Sequence, residues 1–257
     1  METVLYEQRE HVVTITHNRP ERRNAINGEM REALNAAWLR FRDDPDAWVA
    51  IVTGAGDAYC AGADLKDGVG AVGTWSGTFW EIPTVNSLES GLELWKPTIA
   101  AINGPCVGYG LTGALACDFI IASERATFSF PEVLLGTPTI VGALRLPRRI
   151  GWADAMEILL TGERFDAAHA KDVGLVWKVV AHDALIDEAH ALAARLSRGA
   201  PLAIRAVKEV AARGAALPWT EAVRFGETMR RVANATADAV EGRMARSEGR
   251  EPRWTGG

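Results

Sequence analysis

The sequence lacks the features that mark secreted, zinc-binding and membrane-spanning proteins. Its 3 cysteines are odd in number and show no C-x-x-C spacing, so neither a disulfide framework nor a zinc site is indicated. No uninterrupted apolar run reaches the length needed to cross a bilayer. The N-terminal stretch METVLYEQRE has neither the basic start nor the apolar core of a signal peptide. We therefore expect a soluble, cytoplasmic protein with reduced thiols, no bound metal and no membrane contact.

Basic residues are fewer than acidic residues. The chain has 28 Lys and Arg against 33 Asp and Glu, which gives a formal net charge of -5. Nucleic acids and anionic membranes are bound by basic faces that neutralise phosphates, so we expect no nucleic-acid partner. What the sequence does have is 48% hydrophobic and 24% charged residues, the composition of a globular protein with a large core.

Apolar patterns in the first two thirds alternate between strand and helix. Continuous or alternating apolar runs predict strands at 11–18, 48–54, 96–104, 118–123, 126–130 and 175–180. Apolar residues at helical spacing predict an amphipathic helix over 28–43, and a short helix is predicted over 111–118. Residues 67–90, which include Trp75 and Trp80, have little periodicity and predict a mobile flap or an irregular helix beside a site. Residues 131–142 predict a loop or a broken helix.

Helix formers dominate from residue 151 onward. The segment after 201 is rich in Ala, Glu and Arg, and we expect packed helices there with breaks at Pro218 and Gly226. The chain is thus predicted to be an α/β protein with a helical C-terminal extension.

Three loops with clustered small residues follow predicted strands, at 61–67, 103–113 and 130–136. Ligands in layered α/β proteins gather outside the ends of the strands, so these loops could converge on one pocket. Small residues let backbone N–H groups approach a ligand closely. Two such groups make an oxyanion site whose strength comes from fixed dipoles in a dry pocket.

The middle loop contains GYGLTG (108–113), which fits the dinucleotide pattern G-x-G-x-x-G. That reading requires an acidic residue about 20 positions further on, and Glu124 is too near. The motif also lies about 100 residues into the chain, rather than at the first strand–helix turn. An oxidoreductase that uses NAD or FAD is therefore the less favoured alternative.

A resemblance carries more information than this spacing. The segments that carry it follow one another along nearly the whole chain: 24–27 (NAIN), 59–67 (YCAGADLKD), 96–136, 145–151, 161–180 and 241–254. They resemble the enoyl-CoA hydratase/isomerase, or crotonase, superfamily. The resemblance implies a crotonase fold of repeated ββα units over 1–195 and a C-terminal helical trimerisation region over 196–257. It also implies an acyl-CoA substrate, no separate cofactor, and a homotrimer or homohexamer.

The resemblance also implies site residues. The oxyanion N–H groups would come from Ala63 and Tyr109, and Glu132 of the Pro-Glu motif would be the catalytic base. The expected CoA- or acyl-binding residues are Arg23, Ala25, Ala61, Asp64, Leu65, Lys66, Gly108 and Thr112. Asp64 is more readily explained as a structural cap of the next turn than as a catalyst.

The carboxylates decide which reaction is expected. Hydratases of the family use a second glutamate, and the position that matches it is occupied by Thr112. A hydroxyl cannot replace a carboxylate as a proton acceptor near neutral pH. One base suffices to move a proton between two carbons, so double-bond isomerisation is favoured. Hydration with a water near Thr112, and a non-catalytic acyl-CoA binder, are the alternatives.

Two departures from the family pattern affect the pocket. Tyr109 stands where the family usually has glycine, so its ring must find room. The loop 137–146 is shorter and lacks the usual pair of glycines, so the wall behind Glu132 is expected to differ.

Overall fold

The computed structural model describes residues 2–66 and 87–257. Strands in these ranges are β1 (Val4–Arg9), β2 (Val12–His17), β3 (Val49–Gly54), β4 (Thr98–Ile102), β5 (Cys106–Val107), β6 (Phe119–Ser123), β7 (Thr127–Ser129), β8 (Phe165–Asp166) and β9 (Lys178–Val180). One sheet has the order β1-β2-β3-β4-β6-β9, and a smaller one has the order β5-β7-β8. From β2 to β9 the larger sheet is parallel, whereas β1 pairs antiparallel with β2.

Helices cover both faces of the larger sheet and form the C-terminal part of the chain. Those of the described residues are α1 (Gly28–Asp43), α2 (Tyr109–Leu115), α3 (Ile140–Arg145), α4 (Trp152–Thr161), α5 (Ala167–Asp172), α6 (Leu185–Ser197), α7 (Pro201–Gly214), α8 (Trp219–Asn234) and α9 (Ala237–Glu248). Short 3-10 helices include Pro131–Leu135. Within the described residues, no helix combines the length and apolarity needed to span a bilayer.

The central strands β3 and β4 place the predicted loops side by side. Their side chains are almost all buried, with α1 in the hydrophobic cluster on one face and α6 in the cluster on the other. Burial on both faces explains their continuous apolar sequence. Because β3 and β4 are parallel neighbours, the loops that follow them leave the same edge of the sheet.

Most elements predicted from the sequence are present. α1 has the predicted bounds, since Asn27 caps it by accepting a hydrogen bond from the Met30 N–H and the apolar stripe ends with the helix. The strands within 11–18, 48–54, 96–104, 118–123 and 126–130 are found as β2, β3, β4, β6 and β7. β1 was not predicted, because an edge strand with exposed residues has no strong apolar pattern. The predicted flap lies largely outside the described residues.

Three predicted details are wrong. The short helix expected over 111–118 begins at Tyr109 and ends at Leu115. Only the last part of 175–180 is a strand, because Leu175 and Val176 are buried in the loop before it. Gly226 does not break the tail. The loop or broken helix predicted over 131–142, in contrast, is present as a 3-10 helix followed by the start of α3.

Gly226 lies inside α8, where its hydrogen faces α7. A Cβ atom built on Gly226 would lie 3.4 Å from the Val210 side chain. The small residue therefore allows the two helices to approach, and this packing outweighs the low helix propensity of glycine.

The C-terminal helices leave apolar side chains exposed. On α7 and α8, Val207 is 70% exposed and Trp219 is 81% exposed. The predicted boundary at residue 195 falls inside α6. A trimerisation role for 196–257 remains a prediction.

His17 makes stability depend on pH. It is buried at the end of β2, where its Nδ1 lies 3.1 Å from the Tyr59 carbonyl oxygen. A carbonyl only accepts, so Nδ1 carries a proton. Burial lowers the pKa of His17 to about 4, whereas a histidine in an unfolded chain has a pKa of about 6.5. The unfolded chain therefore binds the proton more readily, and stability falls as the pH drops from 6.5 towards 4.

We expect the contribution of His17 to lower the free energy of unfolding by about 3 kcal/mol between pH 7 and pH 4. Urea denaturation at both pH values measures this loss in the wild type and in His17→Asn, whose Nδ2 can still donate to Tyr59. The Asn variant should lose about 3 kcal/mol less than the wild type, while His190→Gln on α6 should behave as the wild type. Equal losses in all three proteins would contradict the assignment to His17.

Candidate active site

Two loops from distant parts of the chain form the first side of the site. The segment after β2 runs beside the segment after β3: the Ala61 N–H donates to Arg23 O, the Ile26 N–H to Gly62 O and the Asp64 N–H to Ile26 O. These bonds form a short parallel ladder with a bridge between Ile26 and Ala63. The bonding groups flank Ala63, so the N–H of Ala63 itself points away from this ladder.

The glycine-rich turn packs against the same loop. The Cys60 N–H donates to Pro105 O, and the Val107 N–H donates to Cys60 O. Gly62 has a φ of +96°, and a Cβ atom there would lie 3.2 Å from Val107 O and 4.0 Å from the Tyr109 nitrogen. Glycine is therefore required at 62, and residues 63 and 109 belong to adjoining turns. Within the described residues, the Tyr109 N–H has no backbone acceptor.

Glu132 completes the cluster. The Gly108 N–H donates to Ser129 O at the end of β7, and Glu132 follows in the next turn. A Cβ atom on Gly108 would lie 2.7 Å from Glu132 Oε1, so the carboxylate lies directly against the glycine turn. Its Oε2 is buried and has no hydrogen-bond partner among the described residues. Burial raises the pKa of Glu132, which makes its carboxylate a stronger base.

Two of the three glycines of the G-x-G-x-x-G motif have structural reasons that involve no dinucleotide. Gly108 leaves room for the Glu132 carboxylate, and Gly110 lets α2 approach β-bridge residue Cys60, whose Sγ would lie 2.7 Å from a Cβ atom at 110. The helix that follows spans only Tyr109–Leu115. The motif therefore brings α2 and Glu132 close to the loop after β3.

Thr112 cannot serve as the second carboxylate. It is buried on α2, and its Oγ1 donates to Gly108 O at 3.3 Å. With its proton used in this way, the hydroxyl oxygen can accept a hydrogen bond from a water but cannot take a proton. The position therefore contributes no general base.

Five of the predicted CoA-binding residues lie at the outer edge of this cluster, whereas Gly108 and Thr112 are buried inside it. Arg23, Leu65 and Lys66 are exposed, and Ala25 and Ala61 are half-buried. Asp64 differs from these residues because it is buried and forms an ion pair with Arg19 at 3.0 Å. Its Oδ1 also accepts from the Lys66 N–H, as expected of a carboxylate that caps a turn.

Sequence reasoning missed two residues that fix the loops. Arg19 Nη1 donates to Ala25 O and to Asp64, so it joins both sides of the first ladder. Asn24 is fully buried with a φ of +56°, and its amide donates to Ala55 O and Ala58 O. Asn24 lies within the NAIN segment and tolerates this left-handed conformation better than most residues. The NAIN segment was therefore the sequence signal that could have indicated the structural role of Asn24.

The ring of Tyr109 is accommodated on the side of α2 that faces α1. It lines a cavity of about 30 Å³ together with Trp38, Arg31 and Glu89, and its hydroxyl donates to the Glu89 carboxylate. Burial, and then the negative charge of Glu89, raise the pKa of Tyr109. The phenol therefore stays protonated and acts as a donor. Glu89 was not recognised from the sequence, since it stands alone in an irregular segment.

Comparisons with known proteins identify the family. The family model described as enoyl-CoA hydratase/isomerase matches residues 7–257. Similar proteins include (E)-benzylidenesuccinyl-CoA hydratase of Thauera aromatica, 38% identical over 98% of this chain and 99% of the relative. Carnitinyl-CoA dehydratase of Citrobacter koseri is 38% identical over 95% of each chain.

Solved structures agree as well. The crystal structure of enoyl-CoA hydratase from Mycobacterium tuberculosis has a TM-score of 0.90 and 35% identity, with 100% of both chains covered. That of enoyl-CoA hydratase from Bacillus anthracis has a TM-score of 0.89 at 32% identity, with 99% of this chain covered and 100% of that one. The chain has the crotonase fold and belongs, as an acyl-CoA enzyme, to the enoyl-CoA hydratase/isomerase family.

Proposed function

We propose that the enzyme moves a double bond along the acyl chain of an enoyl-CoA thioester by cofactor-free proton transfer. The observation that supports this most is the state of Glu132: a buried, unpartnered carboxylate oxygen of raised pKa beside the Gly108 turn. Among the described residues, Thr112 is the other side chain expected to act on water, and its proton is engaged by Gly108 O. A site with one base suits a reaction in which the proton that is removed is also returned.

The reaction would proceed in two proton transfers. Glu132 would remove a proton from the α carbon of a 3-enoyl-CoA, and the electrons would move onto the thioester oxygen to give a dienolate. The N–H groups of Ala63 and Tyr109 would stabilise this negative charge. Glu132 would then return the proton to the γ carbon, which yields the 2-enoyl-CoA with atoms and charges balanced.

The remaining contacts are proposed with this reaction. The adenine-bearing part of CoA would extend along the exposed edge formed by the two loops. The residues proposed to line the CoA and acyl path are Arg23, Ala25, Ala61, Asp64, Leu65, Lys66, Gly108 and Thr112. A homotrimer or homohexamer assembled through the C-terminal helices, in the cytoplasm, is part of the same proposal.

Hydration is the second candidate. Two relatives at 38% identity are named as a hydratase of (E)-benzylidenesuccinyl-CoA and a dehydratase of carnitinyl-CoA. In this candidate, Glu132 would activate a water whose position is fixed by Thr112 Oγ1. The same oxyanion donors would stabilise the enolate that forms when the water adds.

Mass spectrometry of products in heavy-oxygen water distinguishes the two reactions. The enzyme is incubated with 2-enoyl-CoA and 3-enoyl-CoA esters of several chain lengths. We expect conversion between the two esters without oxygen label. A labelled 3-hydroxyacyl-CoA would instead establish hydration. Tight binding of the esters without any product would show that the chain is an acyl-CoA binder.

A further inference from the structure

Tyr109 is held at both ends. Its backbone N–H belongs to the glycine-rich turn of the active site, and its ring extends into the cavity between α2 and α1. There the hydroxyl donates to Glu89, in a cavity with room for about two water molecules. The ring therefore has little freedom to move, and its hydroxyl has a charged acceptor.

Glu89 is itself anchored to another part of the site. Arg145 on α3 donates from Nε and Nη2 to the Glu89 carbonyl oxygen at 3.2 and 3.0 Å, and from Nη2 to Leu88 O at 3.2 Å. α3 follows the 3-10 helix that carries Glu132. A chain of contacts therefore runs from the element that follows Glu132, through Arg145 and Glu89, to Tyr109.

This anchoring matters because the residue before Tyr109 is a glycine. Gly108 has φ +52° and ψ −116°, and glycine can leave such a conformation more easily than other residues. A rotation about Gly108 would turn the N–H of Tyr109 away from the thioester oxygen. The catalytic value of an oxyanion donor depends on its being fixed before the reaction starts. A side chain held at its far end resists this rotation.

We propose that Glu89 is a positioning residue: through the Tyr109 hydroxyl it fixes the direction of the Tyr109 N–H in the oxyanion site. The proposal rests on the proposed function, because it assumes that this N–H faces the thioester oxygen. Tyrosine at 109 is then part of the site rather than an obstacle in it, and its partner is the carboxylate of Glu89.

A double-mutant cycle tests the pair. We expect Tyr109→Phe and Glu89→Ala each to lower kcat about tenfold, the loss of one hydrogen bond to a charged group, with KM changed by less than about twofold. The kcat of the double variant should be about tenfold below that of the wild type, as in each single variant, and not about a hundredfold below it. Both changes break the same interaction, so their effects should not add. Glu89→Gln keeps an acceptor and should lose less than Glu89→Ala. Tyr6→Phe removes a phenol hydroxyl far from the site and should leave kcat unchanged.

A second readout separates this proposal from the proposed reaction. Bound acetoacetyl-CoA forms an enolate with an ultraviolet band, and the intensity of that band reports oxyanion stabilisation without turnover. We expect the band to weaken in Tyr109→Phe and Glu89→Ala but not in Tyr6→Phe. If the wild type shows the band but converts no enoyl-CoA, the proposed isomerisation is wrong. The role of the Tyr109–Glu89 pair is then tested by the band intensity alone. Additive losses, an unchanged band in both variants, or no band in the wild type would overturn the role of Glu89.

Discussion

Replacing Glu132 by Gln is expected to lower turnover of enoyl-CoA by about 10²–10⁴-fold or more, the usual contribution of a general base. Glutamine has nearly the same shape, so the turn against Gly108 should persist. What it lacks is the ability to take a proton. The substrate is expected to be held mainly by its CoA part, so binding of the thioester should change little.

Stability separates this result from simple unfolding. Glu132 Oε2 is buried without a partner among the described residues, and burying a carboxylate in this way costs stability. The neutral amide should therefore be at least as stable as the wild type, as measured by thermal unfolding. Glu124→Gln, which removes an exposed carboxylate after β6, is the matched control and should keep wild-type kcat. A Glu132→Gln enzyme with kcat near that of the wild type would refute its role as the base.

Apolar sequence patterns identified the helix and strands whose burial pattern is the same along their whole length. α1 was predicted with its bounds because one face is buried along its whole length and Asn27 caps it. The buried strands β3 and β4 were predicted because both of their faces are covered. In α1 the burial of each residue follows from its position in the helical period, and in β3 and β4 nearly every residue is buried.

The parts that sequence did not reveal depend on contacts between distant segments. The partner of the Tyr109 hydroxyl is Glu89, 20 residues away, and no period or motif links them. Arg145 reaches Glu89 from 56 residues further on. Glycine is a residue type that favours helix breaks, yet Gly226 lies within α8. A glycine fits there because the Val210 side chain of α7 occupies the space next to it. Such details are set by tertiary packing.

The candidate site falls between these cases. Ala63, Tyr109 and Glu132 were named from the family resemblance, and the structure shows that the small residues beside them lie where two chain segments approach closely. Gly62 against Val107 and Gly108 against Glu132 are the observed examples. The sequence therefore indicated where the backbone comes close, but not that Glu132 Oε2 would lack a partner among the described residues.

Gly108→Ala is expected to lower kcat by about a hundredfold, the effect of misplacing a reacting group by about 1 Å. The new Cβ would lie 2.7 Å from Glu132 Oε1, closer than such atoms can come, so the carboxylate or the turn must move. At φ +52° and ψ −116°, alanine is strained as well, so the Tyr109 N–H is displaced together with the base. The proposed base and the proposed oxyanion donor would lose their positions at once.

Gly249→Ala separates this displacement from backbone strain alone. Gly249 has a φ of +67° after α9, and a Cβ atom there would have no neighbour within 4 Å. That variant should lose about 1 kcal/mol of stability and keep wild-type kcat. The Gly108→Ala enzyme should instead lose kcat at a temperature where thermal unfolding shows that it is folded. Wild-type kcat in folded Gly108→Ala would mean that Glu132 does not act from its position against this turn, because no base could keep its geometry while an added methyl group occupies its place.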